Sequence, residues 1–170
     1  MRGVHHIIVQ NGSLKYEFDV GRNLVILRGD SATGKTTLIE MIQEYIVNGS
    51  DSGVYLSCDV PCRVLTGNLW QEQLSNAENA IVFIDEGNRF VKTQEFARAA
   101  QNSSNYYVIV TRESLEMLPV SVNEIYGIKS SGKYGSLAPV YHEFYRIYDF
   151  GKQDKYPVCP EKIIDSKIPE

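Results

Sequence analysis

The stretch from Gly29 to Thr37 constrains this chain more than any other part of its sequence. Its residues are Gly29, Asp30, Ser31, Ala32, Thr33, Gly34, Lys35, Thr36 and Thr37, and they fit the pattern G-x-x-x-x-G-K-[ST] without a gap. An apolar run of strand type, 23–28, lies directly upstream. Apolar residues recur at helical spacing from Leu38 to Ile46 downstream. The sequence therefore predicts a strand, a glycine turn and a helix in succession.

This order of elements suits the binding of a polyphosphate. Two glycines let the backbone bend so that successive N–H groups point inward beside the first turn of a helix, and such an array attracts anions. Lys35 adds a point charge for the β- and γ-phosphates, and the Thr36 hydroxyl is a candidate ligand of Mg²⁺. We therefore expect residues 29–37 to bind a nucleotide.

Composition sets only broad bounds. The chain has 170 residues, 43% of them hydrophobic and 22% charged, which is typical of one globular domain. A net charge of −4 argues against a general nucleic-acid binder but leaves a local basic patch open. The apolar stretch at the N-terminus is too short for a signal peptide, and no run is long enough to span a membrane. The odd number of cysteines, Cys58, Cys62 and Cys159, favours a reducing cytoplasm.

Several further elements follow from local patterns. Asn11-Gly12 predicts a hairpin between strands at 6–10 and 15–20, and 54–58 is predicted to be a second core strand. The segment 64–76 has leucines and a tryptophan at roughly helical spacing, although Gly67 weakens a helix there.

A second motif with chemical potential is the apolar run 80–84 followed by Asp85 and Glu86. Such a run is typical of a strand buried on both faces, and its carboxyl end would bring both carboxylates beside the glycine turn. Asp85 is then a candidate for the magnesium shell and Glu86 for the general base that activates water. The alternative is a pair of acidic residues that caps a helix; the upstream glycine turn favours the catalytic interpretation.

A helix at 94–101 and a parallel strand at 106–110 are predicted next, and the strand ends in Thr111 and Arg112. At the carboxyl end of a strand either side chain could contact the γ-phosphate or the attacking water, so both are candidate catalytic residues. Plain solubility of the strand end explains them equally well.

The last third of the chain is rich in aromatic residues. Residues 122–129 and 140–150 are predicted to form a β-ribbon around a loop at 130–136, and its aromatics fit ordinary strand packing better than a surface for stacking nucleic-acid bases. Residues 1–150 are expected to form the domain, and 151–170, with three prolines and many charges, an extended tail or linker.

These motifs resemble those of the P-loop NTPase superfamily. Residues 29–36 look like its Walker A motif and 81–86 like its Walker B motif with a catalytic glutamate, while Thr111 stands where that division carries a sensor residue. The resemblance covers residues 6–112 and is nearest to ABC and RecF-like ATPases, although no L-S-G-G-Q signature precedes Ala80.

The resemblance implies an α/β fold: a mostly parallel P-loop NTPase sheet flanked by helices, with N-terminal antiparallel strands and a C-terminal β-ribbon. It also implies that the Thr111 strand lies between the strand before Gly29 and the strand before Asp85.

The expected function is that of a magnesium-dependent ATPase that acts with a protein partner or a second copy of itself. ATP is favoured over GTP because the sequence contains no N-K-x-D pattern. One alternative is a kinase of small molecules or nucleotides that uses Asp59 to bind the acceptor. Another is a nucleotide-gated binding module with little turnover.

Overall fold

The computed structural model describes residues 1–29, 34–131 and 140–148. Its strands are β1 (His5–Gln10), β2 (Leu14–Val20), β3 (Leu24–Leu27), β4 (Tyr55–Ser57), β5 (Cys62–Leu65), β6 (Ile81–Ile84), β7 (Tyr106–Val110), β8 (Ile125–Ser131) and β9 (Val140–Arg146). Its α-helices are α1 (Lys35–Asn48), α2 (Trp70–Ser75) and α3 (Gln94–Gln101). Short 3-10 turns occupy Gly49–Ser52, Gly67–Leu69, Arg89–Lys92 and Val122–Glu124.

All nine strands belong to one mixed sheet with the order β4-β1-β2-β9-β8-β3-β7-β6-β5. Strands β8, β3, β7, β6 and β5 are parallel neighbours. The pairs β1–β2, β1–β4 and β8–β9 are antiparallel. The two regions join where β2 pairs with β9 in parallel, with Tyr16 opposite His142.

The predicted fold class, a mostly parallel sheet flanked by helices, is wrong. The described part of the chain is rich in strands, and its three α-helices have 14, 6 and 8 residues. Within the described residues, α-helices occur in three of the connections between strands: α1 between β3 and β4, α2 between β5 and β6, and α3 between β6 and β7. Because β2 pairs with β9, the β1–β2 hairpin and the β8–β9 ribbon belong to the same sheet. A large part of the sheet therefore lies outside its parallel region.

Individual elements of the prediction are nevertheless present. The hairpin at Asn11-Gly12 and the antiparallel ribbon β8–β9 both form. Strand β7, which precedes Thr111, lies between β3 and β6 as the resemblance implied. The predicted core strand at 54–58 is instead the edge strand β4, and the ambiguous segment 64–76 divides between the end of β5, a 3-10 turn and α2. Residues 132–139 of the ribbon loop and 149–170, with the predicted tail, lie outside the described residues.

The sheet must curl strongly, because its two edges are joined by a short connection. Strands β4 and β5 stand at opposite ends of the order, and only residues 58–61 connect them. A flat sheet of nine strands would hold its edges about 38 Å apart. Five residue steps span at most about 18 Å. The curl therefore brings both edges towards α1, which contacts β1, β4 and β5.

Two apolar clusters fill the two sides of the sheet. Strands β3, β6 and β7 are buried at every position, so their side chains alternate between the clusters. Val25 and Leu27 pack with Leu38 and Ile42 of α1 on the concave side. Leu24 and Ile26 belong to the opposite cluster, with α2 and α3. Because side chains alternate between the two faces along each strand, the same alternation determines which polar side chains lie on the same face at the ends of the parallel strands.

The aromatic ribbon is divided between the core and the surface. Phe144 stacks on Phe18 with ring centroids 4.0 Å apart, and Tyr126 lies beside it. Tyr145 and Tyr148 are 43% and 40% exposed. The stacked inner pair favours ordinary strand packing for that face of the ribbon.

Candidate functional site

The first turn of α1 follows directly on a glycine with a left-handed backbone. Gly34 has φ of 94°, and its carbonyl accepts a hydrogen bond from the Tyr16 hydroxyl at 2.9 Å. A Cβ at this position would lie 2.8 Å from that hydroxyl oxygen. Both the backbone angle and the close tyrosine therefore require glycine here.

Replacing Gly34 with alanine is expected to destabilise the fold by about 1–3 kcal/mol, because the side chain would occupy a strained backbone region and displace Tyr16. Gly12→Ala is the matched control, since nothing lies within 4 Å of its added Cβ and its φ is not positive. Urea unfolding of both variants measures the difference. Equal stability of the two would show that Gly34 is not constrained.

Lys35 is buried at the start of α1. Its side chain is 5% exposed, and its Nζ donates a hydrogen bond to the carbonyl of Gly29 at 3.0 Å. The lysine therefore reaches back across the turn to the residue that opens it. Asp30, Ser31, Ala32 and Thr33 lie outside the described residues, while Thr37 is partly buried in the first turn of α1.

The two sequence motifs meet at the carboxyl edge of the parallel strands. The Thr36 hydroxyl donates to Oδ1 of Asp85 at 3.3 Å, across 49 positions of sequence. The same oxygen accepts the backbone N–H of Glu86 at 2.8 Å. Asn88 supports this turn by donating to the Asp85 carbonyl at 2.9 Å and accepting the Gly67 N–H. Fold and local hydrogen bonds thus hold Asp85 against the helix start.

Glu86 and Arg112 lie near each other at the surface. Arg112 Nε is 3.3 Å from Glu86 Oε2, and the two side chains are 52% and 42% exposed. An exposed pair of this kind contributes less than about 1 kcal/mol to stability, so either side chain can exchange this partner for another. The structure therefore brings Glu86 and Arg112 together while leaving both accessible.

Thr111 is placed differently from the other candidates. It is 7% exposed, and its hydroxyl accepts the Glu113 N–H at 3.0 Å within its own turn. Its backbone N–H donates to the Leu27 carbonyl at 3.1 Å, which extends the pairing of β3 with β7. These hydrogen bonds give Thr111 a structural role in its own turn. A role at a phosphate stays a prediction.

Three residues beside the glycine turn were not singled out from the sequence. Tyr16 is fully buried and stacks on His142 with ring centroids 4.6 Å apart. Arg28 precedes Gly29, and within the described residues its buried Nε has no hydrogen-bond partner. Tyr16 and His142 come from β2 and β9, so no local sequence signal could indicate their contact with Gly34. Arg28 could have been noticed as a basic residue next to the motif.

Burial lowers the pKa of His142. In the unfolded chain this histidine therefore takes up a proton at a higher pH than in the folded protein. Because the unfolded state binds more protons, the free energy of unfolding should fall as the pH decreases below about 6.5, by at most about 1.4 kcal/mol per pH unit for one group.

His142→Phe keeps a ring against Tyr16 and removes the titration, so its unfolding free energy should depend less on pH between 7 and 5 than that of the wild type. Urea unfolding at a series of pH values measures this. The pKa of His6 is raised by hydrogen bonds to Asp19 and Glu17, with the opposite effect on stability, but His6 is common to both proteins and cancels. The same pH dependence of the unfolding free energy in both proteins would show that the pKa of His142 is not lowered by folding.

The donor set at this edge fits magnesium as a partner of phosphate. Magnesium prefers oxygen ligands and is usually held by one or two carboxylates together with substrate phosphates. The Thr36 hydroxyl and the Asp85 carboxylate, in direct contact, provide such oxygens. Within the described ranges no group of three or more His, Cys, Asp or Glu side chains could hold a metal alone. The residues thus fit an ion that arrives with a nucleotide.

The larger cavities lie away from this edge. A cavity of about 570 Å³ is bordered by Leu24, Tyr106 and Glu124, at the amino ends of the parallel strands. Asp59 is also remote: it precedes β5, whose carboxyl end is the one beside Asp85. Its carboxylate accepts a hydrogen bond from His5 at 2.8 Å, which lowers the pKa of Asp59. The carboxyl edge is therefore an open rim that Asp59 does not reach.

Comparison with known proteins adds no family to this description. No protein-family model matches the chain, and a search of curated proteins found no match. Among the helices of the described residues, none is both long and apolar enough to cross a membrane.

Proposed function

We propose that this chain binds ATP with magnesium at the carboxyl edge of β3, β7 and β6 and hydrolyses the terminal phosphate. The main support for the proposal is the hydrogen bond between Thr36 and Asp85, which connects the two motifs. The hydrogen bond from Lys35 to the Gly29 carbonyl lies in the first of these motifs. Two segments far apart in sequence supply a lysine, a hydroxyl and a carboxylate to one small region. We regard chance convergence of these groups as a poorer explanation.

The start of α1 is the proposed phosphate site. The N–H groups of its first turn carry partial positive charge, and Gly34 caps it without a side chain that would block an approaching anion. Lys35, buried at this point, adds a full charge where water screens it less. Arg28, whose buried Nε has no hydrogen-bond partner in the part of the chain that the structure describes, adds a second positive charge one residue before Gly29.

Thr36 and Asp85 are the proposed magnesium residues. When bound, the ion would neutralise charge on the β- and γ-phosphates as the terminal phosphate leaves. The role of the chain is to hold the two oxygen donors in place. The Glu86 N–H and the Asn88 side chain fix Asp85 for this purpose.

Glu86 is the proposed general base. Its carboxylate directly follows Asp85 and is partly exposed, so it can accept a proton from a water molecule at the terminal phosphate. Arg112 holds Glu86 at the rim and can turn to a phosphate oxygen when the pair opens. Thr111 would contribute through the turn that positions Arg112.

The open rim favours completion of the site by another protein or a second copy of this chain. A partner surface would exclude water and could add an arginine towards the developing charge. We place the protein in the cytoplasm, where free thiols such as those of Cys58 and Cys62 are maintained. Nucleic acid as the partner is not favoured, because the inner ribbon aromatics are engaged in packing.

A kinase that uses Asp59 is not supported by the geometry, since that carboxylate lies away from Lys35. One observation supports the alternative of a nucleotide-gated module: Glu86, the proposed general base, is paired with Arg112. In this alternative, bound ATP would order a partner surface with little turnover.

The test is release of phosphate from ATP by the purified chain, with magnesium and with excess chelator. We expect slow, magnesium-dependent release that needs no hydroxyl acceptor. Strict dependence on an added hydroxyl compound would instead indicate a kinase. Tight ATP binding without release would indicate the gated module, and absence of both binding and release would refute the proposal.

A further inference from the structure

The connection between the two sheet edges carries a pair of cysteines. Cys58 directly follows β4, Cys62 begins β5, and only Asp59, Val60 and Pro61 lie between them. Both cysteines are free thiols. The pair therefore stands where the curled sheet brings its first and last strands together, away from the proposed nucleotide site.

The two thiols differ sharply in exposure. Cys62 is 5% exposed and belongs to the concave core with Met41 and Ile42 of α1, whereas Cys58 is only partly buried at the edge of that core. This arrangement suits a reaction in which an external reagent first meets Cys58. Cys62 can then react only through its neighbour.

The thiols also influence each other's ionisation. Hydrogen bonding from the Cys62 thiol is the largest cause that lowers the pKa of Cys58 to about 7, and the backbone of Val60 and nearby His5 act in the same direction, against burial and the adjacent Asp59 carboxylate, which raise it. The same interaction, together with burial, raises the pKa of Cys62. Cys58 therefore has substantial thiolate character at neutral pH, and thiolate is the nucleophilic form of cysteine.

A cavity of about 320 Å³ opens beside the pair. Both cysteines line it, with Tyr45 and Arg63 among the other lining residues. The exposed Arg63 donates through Nη1 to the Cys62 carbonyl at 3.1 Å, which holds a positive charge next to the dithiol. The Asp59 carboxylate beside Cys58 is paired with His5, so Arg63 remains as the cation that suits a small disulfide with carboxylates.

We propose that Cys58 and Cys62 form a reversible dithiol–disulfide site that takes low-molecular-weight, carboxylate-bearing disulfides as its oxidant. The Cys58 thiolate attacks one sulfur of the small disulfide, forms a mixed disulfide and releases one small thiolate. Cys62 then loses its proton, attacks the Cys58 sulfur and releases the second small thiolate. The two cysteines are oxidised by two electrons, the small disulfide is reduced to two thiols, and the protons from both cysteines end on those thiols.

The test treats the reduced full-length chain with oxidised glutathione, alkylates the remaining thiols and maps the products by intact and peptide mass spectrometry. The wild type should lose two hydrogens and give a peptide linked between Cys58 and Cys62. Cys159→Ser is the matched control and should behave in the same way. Cys62→Ser should stop at a glutathione adduct on Cys58, and Cys58→Ser should leave Cys62 unreacted.

Two rate measurements sharpen the test. The initial rate of reaction at Cys58 should rise with pH and reach half its maximum near pH 7. Arg63→Gln should slow the reaction with oxidised glutathione but not with uncharged hydroxyethyl disulfide. Equal rates of wild type and Arg63→Gln with both reagents would overturn the preference for carboxylates.

The proposal as a whole is overturned if the folded wild type accumulates only a mixed disulfide on Cys58, if neither thiol reacts, or if the linkage involves Cys159. Circular dichroism of each serine variant confirms that it is folded before its reactivity is compared. The readout is independent of nucleotide binding, so it does not depend on the proposed ATPase activity.

Discussion

Replacing Lys35 with alanine is expected to weaken the binding of magnesium ATP by at least about 100-fold. The substitution removes a buried charge and, under the proposed function, its hydrogen bonds to phosphate oxygens; each charged hydrogen bond contributes about 1.5–3 kcal/mol, so two of them account for a loss of this size. Isothermal titration calorimetry gives the dissociation constants directly. The loss should be seen in affinity even before hydrolysis is measured.

Arg98→Ala is the matched control for charge, since Arg98 is exposed on α3 and alanine is a good helix former. Lys35→Met tests whether packing alone is responsible, because methionine retains most of the buried volume without the charge. We expect Lys35→Met to lose binding like the alanine variant and Arg98→Ala to bind like the wild type. Retained affinity in a folded Lys35→Met variant would remove the phosphate-binding role of this lysine.

Replacing Glu86 with glutamine is expected to lower the rate of phosphate release by about 10²- to 10⁴-fold, the range for loss of a general base. Glutamine has nearly the same shape but cannot accept the proton. ATP affinity should change little, because Glu86 is partly exposed and the Thr36–Asp85 contact is left in place. A coupled phosphate assay and calorimetry on the same preparation separate the two effects.

Glu113→Gln serves as control for the removal of a nearby carboxylate, since Glu113 pairs with Lys92 at the surface. Its rate should remain close to that of the wild type. An unchanged rate in Glu86→Gln would exclude Glu86 from the reaction. If wild type and variant both bind ATP without releasing phosphate, the nucleotide-gated module becomes the better description.

The local parts of the fold were predictable because their signals lie within short stretches of sequence. Asn11-Gly12 specifies a hairpin turn, and the apolar runs before Gly29, Asp85 and Thr111 form buried strands. The strand order β3-β7-β6 followed from the resemblance, since periodicity does not determine which strands are neighbours.

The global architecture was not predictable by the same means. The pairing of β2 with β9 joins residues more than a hundred positions apart, and neither strand carries a local mark of it. The segment 54–58 shows the same limitation: its apolar pattern predicts a strand, but only tertiary pairing with β1 makes it an antiparallel edge. The resulting mixed sheet replaces the helix-flanked class that motif order suggested.

Some parts of the candidate site could likewise be predicted from local motifs, and others depend on the global fold. Lys35, Thr36 and Asp85 were candidates from the sequence because their motifs specify residue type and spacing; the fold brings Thr36 and Asp85 into contact, and the roles of all three stay predictions. The stack of Tyr16 on His142 behind Gly34 could not, because it depends on the pairing of β2 with β9. Glu86 and Arg112 were predicted separately, and only the fold reveals that they form a pair.

The most direct test of the central claim is a calorimetric titration of the wild-type chain with ATP, with magnesium present and again with excess chelator. The Thr36–Asp85 contact predicts saturable binding at one site per chain that weakens markedly when magnesium is removed. Absence of binding, or the same affinity with and without magnesium, would contradict the assignment of this edge as a magnesium nucleotide site.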